Sequence, residues 1–275
     1  MSFTGNGAVL YEKRERKAYI TLNRPETMNA LNSEVREGLR GAMLDLRDDD
    51  DILVGILTGA GGRAFSAGMD LKERAQSDAS GVRVELATTD GRWTELGIWK
   101  PMIAAIDGYC LAGGFELSLQ CDIRVATQAS RFGLPEPRRS LTASYGLHNL
   151  SRMIPLGHAL YIQLTGSHVD AETAARWGIL QYLVPDRTAL FEKVDQIADE
   201  IMECAPLAVQ AIKRIVLQGR NLPVRSTLAA GESNSPLIPL YQSLFSLSGQ
   251  DPDAAFGEFA SFLPKGQMAP LASFA

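Results

Sequence analysis

The sequence contains few cysteines and no long apolar stretch. Cys110, Cys121 and Cys204 are the three cysteines among 275 residues, and their number and spacing fit neither a disulfide framework nor a metal site. We expect reduced thiols in a cytoplasmic protein, since free cysteine usually behaves as a small buried hydrophobe. No apolar run reaches the length of a membrane span, and residues 1–7 lack the basic and apolar regions of a secretory signal. We therefore expect no membrane segment.

The chain also lacks an excess of basic residues. The formal net charge is −5 and the isoelectric point is about 5.3, so no nucleic-acid partner is expected. Hydrophobic residues make up 45% and charged residues 21% of the chain, a balance typical of globular proteins. The length suits one large domain, alone or with a helical appendage.

The first half of the chain alternates between strand and helix patterns. Alternating runs at Val9–Arg14 and Lys17–Leu22 predict a hairpin, and Asn32 and Ser33 can cap a helix that runs to about Arg47. Further strands are predicted at residues 52–58, 102–106 and 123–126, and helices at residues 82–99 and 116–120. This alternation indicates an α/β unit with a largely parallel sheet.

The second half is mainly helical. Helices are predicted at residues 145–153, 157–164, 171–176, 188–203, 206–219 and 225–248, with one apolar run at residues 179–184. We therefore expect an α/β core over residues 1–200, followed by a C-terminal helical region over residues 201–275.

Two glycine-rich segments could present backbone amides to a ligand. The loop at residues 59–70 does not match a dinucleotide fingerprint, because Ala64 occupies the third glycine position. It could turn sharply at Gly68 and present the Met69 amide, although an ordinary strand-to-helix turn is the simpler interpretation of the loop alone. Gly113 and Gly114 precede a helix, whose free N-terminal amides favour negative charge. Simple capping or close helix packing would explain that pair equally well.

Two glutamates are candidates for acid–base chemistry. Glu116 falls in the first turn of the helix that opens at the glycine pair, and Glu136 stands between Pro135 and Pro137. Adding or removing water across a double bond requires one acid and one base, which two carboxyl groups can supply. Taken singly, each could instead be a helix-terminal or loop glutamate.

Other reactive residue types form no recognisable site. His148, His158 and His168 do not have metal-binding spacing, and no G-x-S-x-G elbow of a serine hydrolase occurs. Arg138 and Arg139 could bind an acidic group, although a solvated pair is the simpler interpretation.

Taken together, these segments resemble the enoyl-CoA hydratase/isomerase (crotonase) superfamily, and most closely its enoyl-CoA hydratases. The resemblance rests on the order of nine motifs: TLNRPETMNAL at 21–31, FSAGMDLK at 65–72, PMIAAIDGY at 101–109, LAGGFE at 111–116, CDIRVA at 121–126, FGLPE at 132–136, LTG at 164–166, AETAARWG at 171–178 and PLAVQAIK at 206–213.

The resemblance implies a spiral of ββα repeats with a C-terminal helical trimerisation region. It implies an acyl-CoA substrate, coenzyme A carried on that substrate, no metal or redox cofactor, and a homotrimer or hexamer. It also assigns site residues: catalytic acids Glu116 and Glu136, oxyanion-hole amides of Met69 and Gly113, and a CoA-binding edge at Thr27, Met28, Ala67 and Lys72.

Both glutamates together favour a lyase of fatty-acid metabolism that adds water across the 2,3 double bond of an enoyl-CoA thioester. The alternatives are an isomerase, a specialised hydratase of branched, aromatic or carboxylated acyl groups, and a non-catalytic scaffold. After Glu136 the family usually has an apolar stretch and a Gly-rich turn, whereas this chain has PRRSLTASYG at 137–146. The acyl group is therefore not defined by the sequence.

Overall fold

The computed structural model describes residues 3–80 and 93–220. The chain divides into two compact units, Met1–Glu203 and Cys204–Ala275. The predicted helix at residues 225–248 and most of the predicted helix at residues 82–99 lie outside the described residues. Within them, no helix is long and apolar enough to cross a membrane.

The first unit is built from ten strands and seven helices in its described residues. The strands are β1 (Val9–Arg14), β2 (Lys17–Leu22), β3 (Val54–Gly59), β4 (Ala64–Ser66), β5 (Met102–Ile106), β6 (Tyr109–Leu111), β7 (Ile123–Thr127), β8 (Arg131–Gly133), β9 (His168–Asp170) and β10 (Tyr182–Val184). The helices are α1 (Ser33–Asp48), α2 (Leu71–Ser80), α3 (Gly113–Gln120), α4 (Tyr145–Met153), α5 (Leu156–Thr165), α6 (Ala171–Arg176) and α7 (Arg187–Met202). In the second unit, α8 (Pro206–Gly219) is described.

The strands form two sheets. A six-stranded sheet has the order β1-β2-β3-β5-β7-β10, in which the predicted hairpin β1–β2 is antiparallel and the remaining pairs are parallel. A four-stranded sheet has the order β4-β6-β8-β9. From β3 to β8, successive strands enter the two sheets in turn, and α2 and α3 follow such strand pairs. This arrangement confirms the expected α/β class with ββα units.

The large sheet is buried on both faces, as parallel sheets usually are. One face joins the main core with α1, through Ile20, Leu57, Ala104 and Ala126. The other face packs against α7, through Tyr19, Ile56, Ile103 and Val125. Side chains of a strand alternate between faces, so neighbouring residues such as Tyr19 and Ile20 serve different cores.

Most predicted helices are confirmed within a residue or two. Asn32 caps α1, because its Oδ1 accepts a hydrogen bond of 3.0 Å from the Val35 amide. The helix predicted over residues 82–99 is wrong at its end, where residues 93–97 form turns. There Gly97 has φ of +75°, and the Ile98 amide donates to the Trp93 carbonyl, which closes a turn that a continuing α-helix would not make.

Candidate active site

The loop after β4 turns at Gly68, as its glycine content suggests. Gly68 has φ of +88°, a conformation that side chains rarely adopt. The Leu31 amide donates to the Gly68 carbonyl at 2.8 Å, and the Asp70 amide donates to the Leu31 carbonyl at 3.2 Å. The Met69 amide between them has no acceptor in the described residues. The loop is therefore pinned on both sides of one available N–H group.

A strained peptide opens helix α3. Ala112 has φ of 50° and ψ of −132°, a region that non-glycine residues occupy at a cost of about 1–3 kcal/mol. Its own amide is held by the Gly133 carbonyl at 2.9 Å. The following Gly113 amide has no acceptor within the described part of the chain. The strain is thus located at the peptide that carries the second available N–H group.

The two available amides lie close to each other. A Cβ atom added to Gly68 would stand 2.9 Å from the Gly113 nitrogen, and one added to Gly113 would stand 3.8 Å from the Met69 nitrogen. With standard backbone geometry, the Met69 and Gly113 nitrogens are therefore roughly 6 Å apart or less. Two N–H groups at this separation are able to bind one developing oxyanion.

The two glycines of the pair have different roles. A Cβ at Gly114 would stand 2.4 Å from the Ser66 carbonyl oxygen, so Gly114 allows close packing of α3 on β4. A Cβ at Gly113 would meet nothing closer than Leu31 Cδ1 at 3.3 Å. Packing, one of the two interpretations open from the sequence, thus applies to Gly114, while the amide of Gly113 stays available.

Glu116 is a buried acid with a fixed carboxylate. Its side chain lies in the first turn of α3, and the residue is 8% exposed. Its Oε1 accepts hydrogen bonds of 2.7 Å from the amides of Ser144 and Gly146. These amides belong to the N-terminus of α4, where backbone N–H groups and the helix dipole stabilise negative charge. The arrangement favours an ionised Glu116.

The amides that hold Glu116 were not predicted from the sequence. A Cβ at Gly146 would lie 3.3 Å from Glu116 Oε1 and 2.9 Å from Leu134 Cδ1, so glycine lets the backbone approach the carboxylate. The available signal was Gly146 itself, at the end of the segment that departs from the family pattern. That segment thus contributes directly to the site.

Glu136 is in the opposite electrostatic situation. It opens a 3₁₀ turn at Glu136–Arg139, and its buried Oε2 has no hydrogen-bond partner among the described residues. Burial is the main reason that the pKa of Glu136 is raised to about 7; a hydrogen bond from its own backbone opposes the rise, and the nearby charge of Glu116 adds to it. The two carboxyl groups therefore have different environments: Glu116 is held by two amides, and Glu136 has a raised pKa.

The residues assigned to the CoA edge fall on two adjoining segments. Thr27 ends a 3₁₀ turn, and Met28 follows with φ of 54°. The Ala67 amide donates to the Met28 carbonyl at 3.0 Å, which joins this turn to the Gly68 loop. Lys72 is exposed at the start of α2 and has no ion-pair partner in the described part of the chain.

An ion pair missed by sequence reasoning fixes the far end of the Gly68 loop. Arg24 Nη1 donates to Asp70 Oδ2 at 2.9 Å and to the Ala30 carbonyl at 2.8 Å. Burial raises the pKa of Asp70, but the hydrogen bonds from Arg24 and from the amides of Glu73 and Lys72 outweigh it, and the net shift is downward. Asp70 therefore stays charged and holds the residue after Met69 in place.

Buried Asn29 supports the same loop from the other side. Its φ is 55°, which asparagine tolerates better than most residues. Its side chain accepts from the Arg24 amide at 2.9 Å and donates to the carbonyls of Ala60 and Ala64 at 3.0 and 2.7 Å. The 24–31 segment is thus a scaffold for the loop that carries Met69.

The histidines lie apart from these groups in the contacts observed. His158 stacks on Trp177 at 4.2 Å between ring centroids, and burial lowers the pKa of His168. No cluster of three or more His, Cys, Asp or Glu residues that could hold a metal ion occurs in the described ranges.

Two neighbouring amides without acceptors in the described residues, together with two carboxyl groups in different environments, form an arrangement suited to acid–base chemistry on a substrate that develops an oxyanion. The chain belongs to the enoyl-CoA hydratase/isomerase family, whose sequence model matches residues 12–234. It is a member of the crotonase superfamily, and its named relatives are hydratases, which are lyases.

Individual relatives agree with this assignment. The chain is 37% identical over 217 residues to (E)-benzylidenesuccinyl-CoA hydratase of Thauera aromatica, covering 78% of this chain and 84% of that protein. It is 34% identical over 224 residues to short-chain-enoyl-CoA hydratase of Clostridium acetobutylicum, covering 80% and 85%. The crystal structure of an enoyl-CoA hydratase from Bacillus anthracis superposes with a TM-score of 0.79 at 30% identity, covering 92% of this chain and 95% of the other.

Proposed function

We propose that this protein is a hydratase that adds water reversibly across the 2,3 double bond of an enoyl-CoA thioester. The observation that carries the proposal is the contrast between the two carboxyl groups. Glu116 accepts two backbone N–H groups, whereas the buried Oε2 of Glu136 has no hydrogen-bond partner in the described residues and the pKa of this group is raised to about 7. Such a contrast assigns the base to Glu116 and the acid to Glu136.

In the proposed reaction, one water molecule lies between the two glutamates. The ionised Glu116 takes a proton from the water as its oxygen bonds to the β-carbon. The carbon–carbon double bond shifts its electrons toward the thioester carbonyl, whose oxygen becomes negative and binds the amides of Met69 and Gly113. Glu136 then gives its proton to the α-carbon. Proton exchange returns Glu116 to the ionised form and Glu136 to the protonated form.

The pH dependence should report the acid. Glu136 acts only when protonated, and its pKa is raised from 4.5 to about 7. We therefore expect kcat/KM for hydration to fall as pH rises through about 7, because the free enzyme then loses its acid. Initial rates measured between about pH 6 and 8 test this expectation. In Glu136→Gln the residual rate should not show that alkaline fall, and a flat wild-type profile would contradict the assignment.

Lys72 should act in substrate binding. It is exposed and unpaired in the described residues, and it follows the Gly68 loop by four positions at the start of α2. A cation near the CoA phosphates contacts them in the ground state and the transition state alike, so Lys72→Ala should raise KM more than it lowers kcat. Steady-state kinetics separate the two parameters. A collapsed kcat with unchanged KM would exclude this role.

The identity of the substrate's acyl group is a separate question from the reaction. The Thauera relative is named for a carboxylated aromatic acyl group and the Clostridium relative for short-chain enoyl groups. A hydratase specialised for branched, aromatic or carboxylated acyl groups, or an enoyl-CoA isomerase, is the second candidate. The altered segment at residues 137–146 favours specialisation, because it supplies amides to Glu116 and so borders the reacting atoms.

A panel of enoyl-CoA thioesters tests the function directly. Loss of the enoyl chromophore would report hydration, and conversion of 3-enoyl to 2-enoyl thioesters would report isomerase activity. Absence of turnover on every thioester would favour a scaffold instead. The proposal includes a homotrimer or hexamer in the cytoplasm, no metal or redox cofactor, and coenzyme A that enters as part of the substrate.

A further inference from the structure

Two adjacent arginines follow the acid Glu136, and the structure separates them. Arg138 donates from Nε to the Thr165 carbonyl at 3.2 Å and lies 3.5 Å from the Ser167 hydroxyl through Nη2. Its Cγ lies 3.0 Å from the position that a Cβ on Gly166 would take. Arg138 is therefore committed to the end of α5.

Arg139 has no such commitment. It is exposed, and its side chain makes no hydrogen bond, ion pair or ring contact with any other described residue. An arginine keeps its charge at every physiological pH and can bind a carboxylate through two parallel N–H groups. Of the two arginines, Arg139 is thus the one available to a ligand.

The backbone places Arg139 on the same face as the acid. Glu136 and Arg139 are the first and last residues of the 3₁₀ turn, and side chains three residues apart in a 3₁₀ helix eclipse each other. The turn is closed by Ser140, with φ of 56°, and by a hydrogen bond of 3.1 Å from the Leu141 amide to the Glu136 carbonyl. Local geometry therefore starts the two side chains from the same side of the turn, although Glu136 Oε2 is buried and Arg139 is exposed.

Arg139 does not neutralise the acid beside it. The pKa of Glu136 is raised by burial and by Glu116, as expected for a carboxyl group without a cationic partner. The Arg139 guanidinium group is thus able to bind a carboxylate of a ligand while Glu136 keeps its proton. In the proposed reaction Glu136 protonates the α-carbon of the acyl group, so the acyl group is the part of the substrate that would lie nearest to this turn.

We propose that Arg139 is a specificity-determining residue that binds a carboxylate carried by the acyl group of the substrate. The proposal rests on the hydratase function and deepens it: the substrate class becomes the enoyl-CoA thioesters of dicarboxylic acids. It assigns different roles to neighbouring residues, with Arg138 anchoring the turn and Arg139 selecting the substrate.

Binding of saturated ligands tests the selection without relying on turnover. Succinyl-, glutaryl- and adipyl-CoA would each be compared with the uncharged terminal amide of the same thioester by calorimetric titration. Wild-type protein should bind at least one of the acids about tenfold or more tightly than its amide, because a charge-assisted hydrogen bond is present only in the acid.

Variants then locate the preference. Arg139→Gln should bind the acid and the amide equally, and Arg139→Lys should keep part of the preference, since it retains the charge but loses the bidentate geometry. Arg152→Gln, which removes the charge of an exposed arginine on α4, should retain the preference. Equal binding of all three pairs by wild-type protein, or a preference that survives in Arg139→Gln, would overturn the inference.

The corresponding 2-enedioyl-CoA thioesters separate this inference from the proposed function. If the wild-type protein hydrates monocarboxylic and dicarboxylic enoyl-CoA thioesters equally well, the hydratase stands and the role of Arg139 is wrong. If it binds the acids preferentially but hydrates no thioester, the role of Arg139 stands and the hydratase is wrong.

Discussion

Glu116→Gln and Glu136→Gln should each lower the hydration rate by about 10²–10⁴-fold, the usual contribution of a positioned proton-transfer group. Glutamine keeps the shape of the side chain, and at position 116 its oxygen can still accept the amides of Ser144 and Gly146. The loss would therefore reflect proton transfer rather than a changed fold. Both kcat and kcat/KM should be measured on the best thioester of the panel.

The double variant provides the sharper test. Groups that act as a unit are non-additive, so Glu116→Gln combined with Glu136→Gln should be little slower than the slower single variant. Glu172→Gln, at an exposed glutamate in the first turn of α6, is a matched control that should keep the full rate. An isomerase would need one acid, so one single variant would remain active on a 3-enoyl thioester. Near wild-type hydration by either single variant would defeat the two-acid mechanism.

Gly113→Pro should lower the rate by about 10²–10³-fold, because it removes one of the two N–H groups that we propose bind the developing oxyanion. Proline suits the first position of a helix, which Gly113 occupies in α3. The preceding Ala112 has ψ of −132°, however, outside the range usually found before proline. Circular dichroism and thermal unfolding should therefore accompany the kinetics.

Gly113→Ala is the matched control for the lost amide. It keeps the N–H group, and its new methyl group would meet the flexible end of Leu31 at 3.3 Å. We expect less than a tenfold loss of rate from this smaller change. If folded Gly113→Pro were as active as Gly113→Ala, the Gly113 amide would have no part in stabilising the oxyanion.

The sequence predicted long, regular elements well and short ones poorly. The hairpin and the parallel strands of the large sheet have five or six residues with clear apolar patterns, except for the three-residue β10. The four strands of the smaller sheet have three residues each, too few to show a period, and none was predicted. Helix α2 was missed because its sequence, LKERAQSDAS, is largely polar.

The candidate site shows the same division between local and distant information. Glu116, Glu136, Met69 and Gly113 were singled out because each lies within two residues of a glycine or proline, in motifs that resemble those of the enoyl-CoA hydratase/isomerase superfamily. The amides of Ser144 and Gly146 reach Glu116 from 28 and 30 residues away. Such contacts depend on how α3 and α4 pack, and no local sequence pattern predicts them. The roles of the four residues themselves remain predictions for the experiments above.

Helix α4, whose N-terminal amides bind Glu116, limits which residues can vary when the acyl specificity changes. Residues 138–141 are exposed, so substitutions of their side chains disturb few packed neighbours. Residues 144–146 include the two amides that bind the Glu116 carboxylate. They tolerate few substitutions, because Gly146 approaches Glu116 and Leu134 too closely for a side chain. We therefore expect the acyl specificity to change through substitutions in the first part of this segment, while its last three residues keep the environment of Glu116 unchanged.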